Sequence, residues 1–137
     1  MLRFLLLFCG VLGSLFAIEM LKPVQEALIQ PFTGLLAALS TAIILPFDDN
    51  VIAQGRILRD ATTGFAVSIE AGCNGVEAAI VLIAGIVAFP ATLSHKVVAI
   101  LAGFLFVQIL NIVRIISLFY LGQWNYTVFE WFHLYLW

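Results

Sequence analysis

The stretch Glu70-Ala71-Gly72-Cys73-Asn74-Gly75-Val76-Glu77 reads EAGCNGVE. It lies where the longest polar segment of this 137-residue chain gives way to a run of Val, Ile, Leu and Ala. Before it stands NVIAQGRILRDATTGFAVSI, residues 50–69, with β-branched residues in short alternation and a break at Asp60-Ala61-Thr62-Thr63-Gly64. Such a pattern predicts a β-hairpin over about 51–70, with strands near 51–59 and 65–70. After it stands an apolar run to Pro90, which predicts a helix over 73–90. The stretch is therefore a junction between a small extramembrane sheet and a membrane helix.

Three further apolar stretches appear, at 4–21, 31–47 and 97–121. A bilayer core takes about 20 helical residues. The stretches 4–21 and 97–121 meet that length, and 73–90 meets it when extended back to the glycines. The stretch 31–47 is bracketed by Pro31 and Pro46 and carries Thr33, Ser40 and Thr41. It reads as a transmembrane, interfacial or re-entrant helix. Residues 127–137 begin a further apolar helix, apparently cut short at Trp137. The expected fold is one polytopic α-helical membrane domain over 1–137, with four to five hydrophobic helices and a small extracytoplasmic β-hairpin. Composition agrees: 64% of residues are hydrophobic and 10% charged, against about a quarter charged in soluble domains.

The N-terminal Met1-Leu2-Arg3 and its apolar run resemble a signal peptide. No A-x-A-like site follows, and Glu19-Met20-Leu21-Lys22-Pro23 reads as a membrane exit, so 4–21 is taken as a retained anchor. A net charge of −2 with no basic patch excludes a nucleic-acid partner. No phosphate-binding loop and no zinc-type Cys/His spacing is present. No metal or organic cofactor is expected.

Sidedness follows from counting crossings. Cys73, Arg114 and His133 fall toward one membrane face. The loop ATLSHK, residues 91–96, falls on the other, and Lys96 biases it to the cytoplasm. The cysteine face is then extracytoplasmic. Arg3 inside, with full spans at both 4–21 and 31–47, would put the hairpin in the cytoplasm. An interfacial or re-entrant 31–47 removes the conflict and is preferred.

Several polar residues stand in or beside apolar runs. Arg114 lies about two turns before the end of its helix, where a charge costs at least about 2.5–3.5 kcal/mol at the membrane centre, so it faces a polar interior or snorkels to the interface. Asn111 lies one turn earlier. Glu77 follows Cys73 by one helical turn and is the natural partner of Arg114 at similar depth. A thiol is a nucleophile only as thiolate, a form favoured by a helix N-terminus and by a neighbouring cation. At the helix start Cys73 has the first influence, and Arg114 supplies the second. Asn74 is placed to cap the helix, Gly72 and Gly75 allow close backbone approach, and Glu70 is the second carboxylate beside the cysteine. His133, in FHLYLW, is a candidate acid or base, or an interfacial anchor. Cys9 reads as a buried small apolar side chain, and His95 carries no assigned chemistry.

EAGCNGVEA (70–78), NIVRIISLFYLG (111–122) and FHLYLW (132–137) resemble the three signature blocks of the exosortase/archaeosortase family, and most closely those of the exosortase H subgroup. The resemblance covers most of the chain. It implies a polytopic cysteine transpeptidase of the bacterial inner membrane. The implied substrates are exported proteins with a C-terminal sorting signal made of a short motif, a transmembrane helix and a basic tail. Matching block by block, the nucleophile is Cys73, the arginine Arg114 and the histidine His133. The family continues beyond its histidine block, and this chain ends about one turn after it.

Three other classes compete. A non-enzymatic membrane scaffold or transporter subunit would keep Glu77–Arg114 as a structural ion pair and tolerate loss of Cys73. A thiol oxidoreductase would want a Cys-x-x-Cys pair, for which Cys9 is misplaced. A thioester-forming acyltransferase would share the nucleophile and take lipid instead of peptide. The position of the hairpin just before Cys73 also suggests that an extended sorting motif adds to it as a strand.

Overall fold

The computed structural model describes residues 1–136, with Leu136 described by its backbone alone. Among the described residues, three helices are long and apolar enough to cross a membrane: α1 (Leu2–Glu19), α2 (Lys22–Ile44) and α4 (Leu93–Trp124). Helix α3 (Val76–Ala88) has 13 residues. A short helix, α5 (Tyr126–Trp131), closes the described chain with a wide turn over Phe132–Leu136. Between α2 and α3 lies a three-stranded antiparallel sheet, β1 (Val51–Gln54), β2 (Ile57–Asp60) and β3 (Ala66–Ser68), in the order β1-β2-β3. The expected polytopic helical fold with a small β-hairpin region is thus observed.

The chain divides into two units. The helical unit holds Met1–Ile29 and Gly75–Ile109, and the mixed unit holds Gln30–Asn74 and Leu110–Trp137. Helices α2 and α4 each contribute to both.

In the helical unit α1 packs along α3. Helix α1 is apolar on every side and exposes nearly all of it to the surroundings, with Glu19 its buried residue. This is the signature of a helix solvated by lipid. Cys9 is exposed, contrary to the buried site expected of it. Helix α1 has no polar face, so nothing marked which side turns outward. At Gly103 an added Cβ would meet Leu82 Cδ2 at 2.6 Å, so the glycine sets a close approach of α4 to α3, as small residues do between membrane helices. Helix α3 stops because Phe89 precedes Pro90 and takes an extended backbone. Lys96 Nζ then donates to the Val87 carbonyl oxygen at 2.7 Å, satisfying an end-of-helix acceptor.

Helix α2 begins nine residues before the expected 31–47. Pro23 sits in its first turn, where no N–H is required. Pro31 cannot donate to the preceding turn, and the helix absorbs the break in a wide turn at Gln25–Ile29 without stopping. It ends at Ile44, two residues before Pro46.

The mixed unit has a true core. Leu36, Ala37 and Ile44 of α2, Val51 and Leu58 of the sheet, Ile69 after it, and Ile115 and Phe119 of α4 form one buried cluster. The first expected strand, 51–59, is folded in two about Gly55-Arg56. Gln54 pairs with Ile57, and Gly55 takes φ +59, the positive φ that a two-residue hairpin of the II′ kind needs at its first central position. At the second turn, Asp60 Oδ1 accepts from the amides of Thr62 at 2.7 Å and Thr63 at 2.9 Å. Those two amide bonds, Thr63's foremost, hold the Asp60 carboxyl below the usual carboxylate range. The last expected helix, 127–137, falls on α5 and the wide turn after it, and Asn125 caps α5 by accepting from Thr127 N at 2.9 Å. Trp137 lies outside the described residues.

Candidate active site

The candidate site lies wholly in the mixed unit. Strand β3 leads into a turn over 70–75 in which Cys73 N donates to the Glu70 carbonyl at 2.9 Å. Gly72 and Gly75 take φ +85 and +74. Only glycine adopts that conformation freely, so the two glycines flanking Cys73 are required by the backbone turn itself.

Helix α3 starts at Val76 with Gly75 as its N-cap and no side-chain cap. Cys73 therefore precedes the helix, and the expected helix 73–90 begins later because the two left-handed glycines turn the chain first. The N-cap position of α3 is Gly75, one residue after Asn74. The Asn74 side chain is fully buried and donates Nδ2 to Thr33 Oγ1 of α2 at 3.3 Å. It pins the cysteine turn to α2.

Arg114 reaches the cysteine from α4. Its Nη2 donates to Cys73 Sγ at 3.4 Å, in a partly buried setting. The contact sets a guanidinium donor directly beside the sulfur. The two residues share a cavity of about 360 Å³, at the small end of ligand sites. Its wall takes in the run Phe65–Glu70, together with Ile115, Leu118, Tyr126, Phe129 and His133.

His133 enters from the wide turn after α5. Its ring stacks on Phe129 at 5.7 Å with 9° between planes, and Phe129 stacks on Tyr126 at 5.7 Å. Its Nδ1 is buried and has no hydrogen-bond partner among the described residues. A nitrogen left unpaired beside a cavity is available to a ligand.

The structure thus brings Cys73, Arg114, His133 and Glu70 to one cavity. Glu70 stands at its mouth, held by Ser68 Oγ at 2.7 Å and by Arg56 Nη1 at 3.0 Å. Asn111 is buried one turn before Arg114, does not line the cavity, and leaves Nδ2 unpaired among the described residues. Glu77 belongs to the helical unit, as does Glu19. Among the described residues no group of three or more His, Cys, Asp or Glu is placed to hold a metal ion.

Sequence reasoning missed Phe65, Gly122, Tyr126 and Phe129. An added Cβ at Gly122 would meet Phe65 Cζ at 2.4 Å and Phe129 Cδ2 at 3.3 Å. Gly122 is the bare patch of α4 against which both aromatics close the cavity. The available signal was spacing: Tyr126, Phe129 and His133 recur at three and four residues, one face of a helix.

The family model described as Transmembrane exosortase (Exosortase_EpsH) matches residues 1–136. No curated protein and no solved structure matches the chain.

Proposed function

The chain belongs to the transmembrane exosortase family, and from that premise we propose that it is a membrane-embedded cysteine transpeptidase or peptidase acting through a Cys73 thioester. The observation that carries the reading is the Arg114 guanidinium donating to Cys73 Sγ at 3.4 Å in the cavity that His133 also lines.

The chemistry runs in two halves. The Cys73 thiolate attacks the scissile carbonyl carbon and forms a C–S bond. Charge moves to the carbonyl oxygen, and Arg114 stabilises that oxyanion. The C–N bond then breaks, and His133, as imidazolium, gives its proton to the leaving amine. In the second half neutral His133 takes a proton from an incoming amine or water. That nucleophile attacks the thioester, and sulfur leaves as thiolate.

The substrates in this reading are exported proteins with a C-terminal tail of motif, transmembrane helix and basic residues. Their own helix lies in the bilayer beside the enzyme and delivers the motif to the extracytoplasmic face of a bacterial inner membrane. Delivery within the membrane converts capture to a two-dimensional encounter and orients the scissile bond.

The test is a tail-processing assay in cells with a reporter carrying such a tail. Loss of the tail is expected with the natural chain and not with Cys73→Ala, at matched membrane levels. Equal processing by Cys73→Ala would refute the reading and favour a membrane scaffold.

A further inference from the structure

Among the described residues strand β3 is the outer strand of its sheet, and its residues line the same cavity as Cys73. The hydrogen-bond phase of β3 says which backbone groups are unused. Asp60 N donates to the Phe65 carbonyl, and Ile69 N donates to the Arg56 carbonyl. Leu58 pairs with Val67 between them. In an antiparallel ladder the residues that bond to the partner alternate with those that do not. Phe65, Val67 and Ile69 therefore face β2, and the N–H and C=O of Ala66 and Ser68 face outward. Both residues are exposed. Such a row of unpaired groups is a template for another strand. In hydrocarbon it would carry a heavy desolvation cost, so it sits in water or against a partner.

We propose that the acyl-side segment of the substrate binds as an added strand on β3, using the outward backbone groups of Ala66 and Ser68. This deepens, and rests on, the cysteine chemistry proposed above. The direction follows from the chain. Strand β3 runs toward Cys73, so a segment that presents its C-terminal carbonyl to Sγ runs parallel to β3. The cavity is too small for a folded partner and suits an extended one. Its apolar wall, with Phe65, Tyr126 and Phe129, accepts the side chains that fall on the cavity face of the added strand. Backbone pairing supplies affinity that does not depend on side-chain identity.

The experiment uses the full chain in detergent or vesicles, with chloromethyl ketones that alkylate Cys73. Sulfur displaces chloride, forming a C–S bond and breaking the C–Cl bond. The probe is acetyl-tetraalanyl chloromethyl ketone, compared with acetyl-alanyl chloromethyl ketone. The longer probe is expected to react about tenfold faster, the worth of about two net backbone hydrogen bonds. N-methylation at alternate residues should abolish the gain at one set of positions and spare the other. Ser68→Pro removes an outward donor and should abolish the gain, whereas Ser68→Ala should keep it. Iodoacetamide, which has no strand to add, should react equally with both variants. A gain that is absent, or equally sensitive to methylation at every residue, overturns strand addition.

Failure of the underlying chemistry reads differently. If Cys73 reacts no faster than Cys9 with iodoacetamide, the nucleophile reading fails. Strand addition is then read on Cys73→Ala with the unreactive acetyl-tetraalanyl amide. Slowed amide exchange at Ala66 and Ser68, with Val67 and Ile69 unchanged, supports it. No slowing at saturating peptide overturns it.

Discussion

Arg114 Nη2 lies 3.4 Å from Cys73 Sγ, although the two residues are 41 positions apart in the chain. The cysteine is fixed by a turn with two left-handed glycines, and the arginine by a long helix whose inner face carries Ile115 and Phe119 into the core. Neither residue is aligned by its neighbours alone. The fold holds an expensive membrane cation on a sulfur atom.

The first consequence concerns that cation. Arg114→Ala should lower tail processing by about 100-fold, the loss typical of one oxyanion donor, and should slow iodoacetamide labelling of Cys73. Arg114→Lys should restore labelling more than processing, because an ammonium supplies charge without the planar fork of donors. Equal labelling of all three chains would separate Arg114 from the sulfur.

The aromatic ladder is a positioning device for His133. Phe129→Ala removes the ring on which the imidazole stacks, an interaction worth about 0.5–1.5 kcal/mol. Processing should fall about tenfold while iodoacetamide labelling of Cys73 stays unchanged. Phe129→Tyr, which keeps the ring, should restore processing. A parallel loss of labelling would mean that Phe129 supports the whole cavity and not the histidine.

Gly122 tests how the cavity is closed. Gly122→Ala places Cβ 2.4 Å from Phe65 Cζ, and the ring must move. Overpacking of this kind costs about 1–3 kcal/mol. The variant should unfold earlier on heating, and Gly122→Ala with Phe65→Leu should recover most of the loss. No recovery in the double variant would place the strain elsewhere.

The sheet carries its own acid sensitivity. The Asp60 carboxyl titrates below its ordinary value when folded because the Thr63 and Thr62 amides bond its ionised form. Its contribution is therefore complete above the unfolded carboxylate value. It is lost as pH falls through the folded one. Amide protection factors in residues 57–68, corrected for the intrinsic exchange rate, should fall on acidification below about pH 4. Asp60→Asn should show little of that dependence. A natural chain with a flat profile across that range would contradict the account.

Much of this was legible in the sequence. The apolar runs marked the long helices, because composition alone decides what lipid will solvate. Cys73, Arg114 and His133 were each visible as polar residues in costly places. The errors came where a local rule had two outcomes. Pro31 read as a helix start, but a wide turn carried the helix through it. Gly55 was passed over because its hairpin lacks the Asn-Gly or Asp-Gly pair, and one strand became two. Asn74 read as the N-cap, yet Gly75 takes that position, and Asn74 Nδ2 reaches Thr33 on α2, 41 residues away. Gly122 and Phe129 were invisible because their role depends on Phe65, a residue distant in sequence.

The central claim is a covalent bond between Cys73 and the substrate's acyl group. The direct measurement is peptide mass mapping of the full chain, quenched in acid shortly after mixing with a tail-bearing reporter. The account predicts an acyl adduct on Cys73 that hydroxylamine removes and that Cys73→Ser lacks. Processed reporter formed at an undiminished rate by Cys73→Ser, with no adduct on the natural chain, would contradict it.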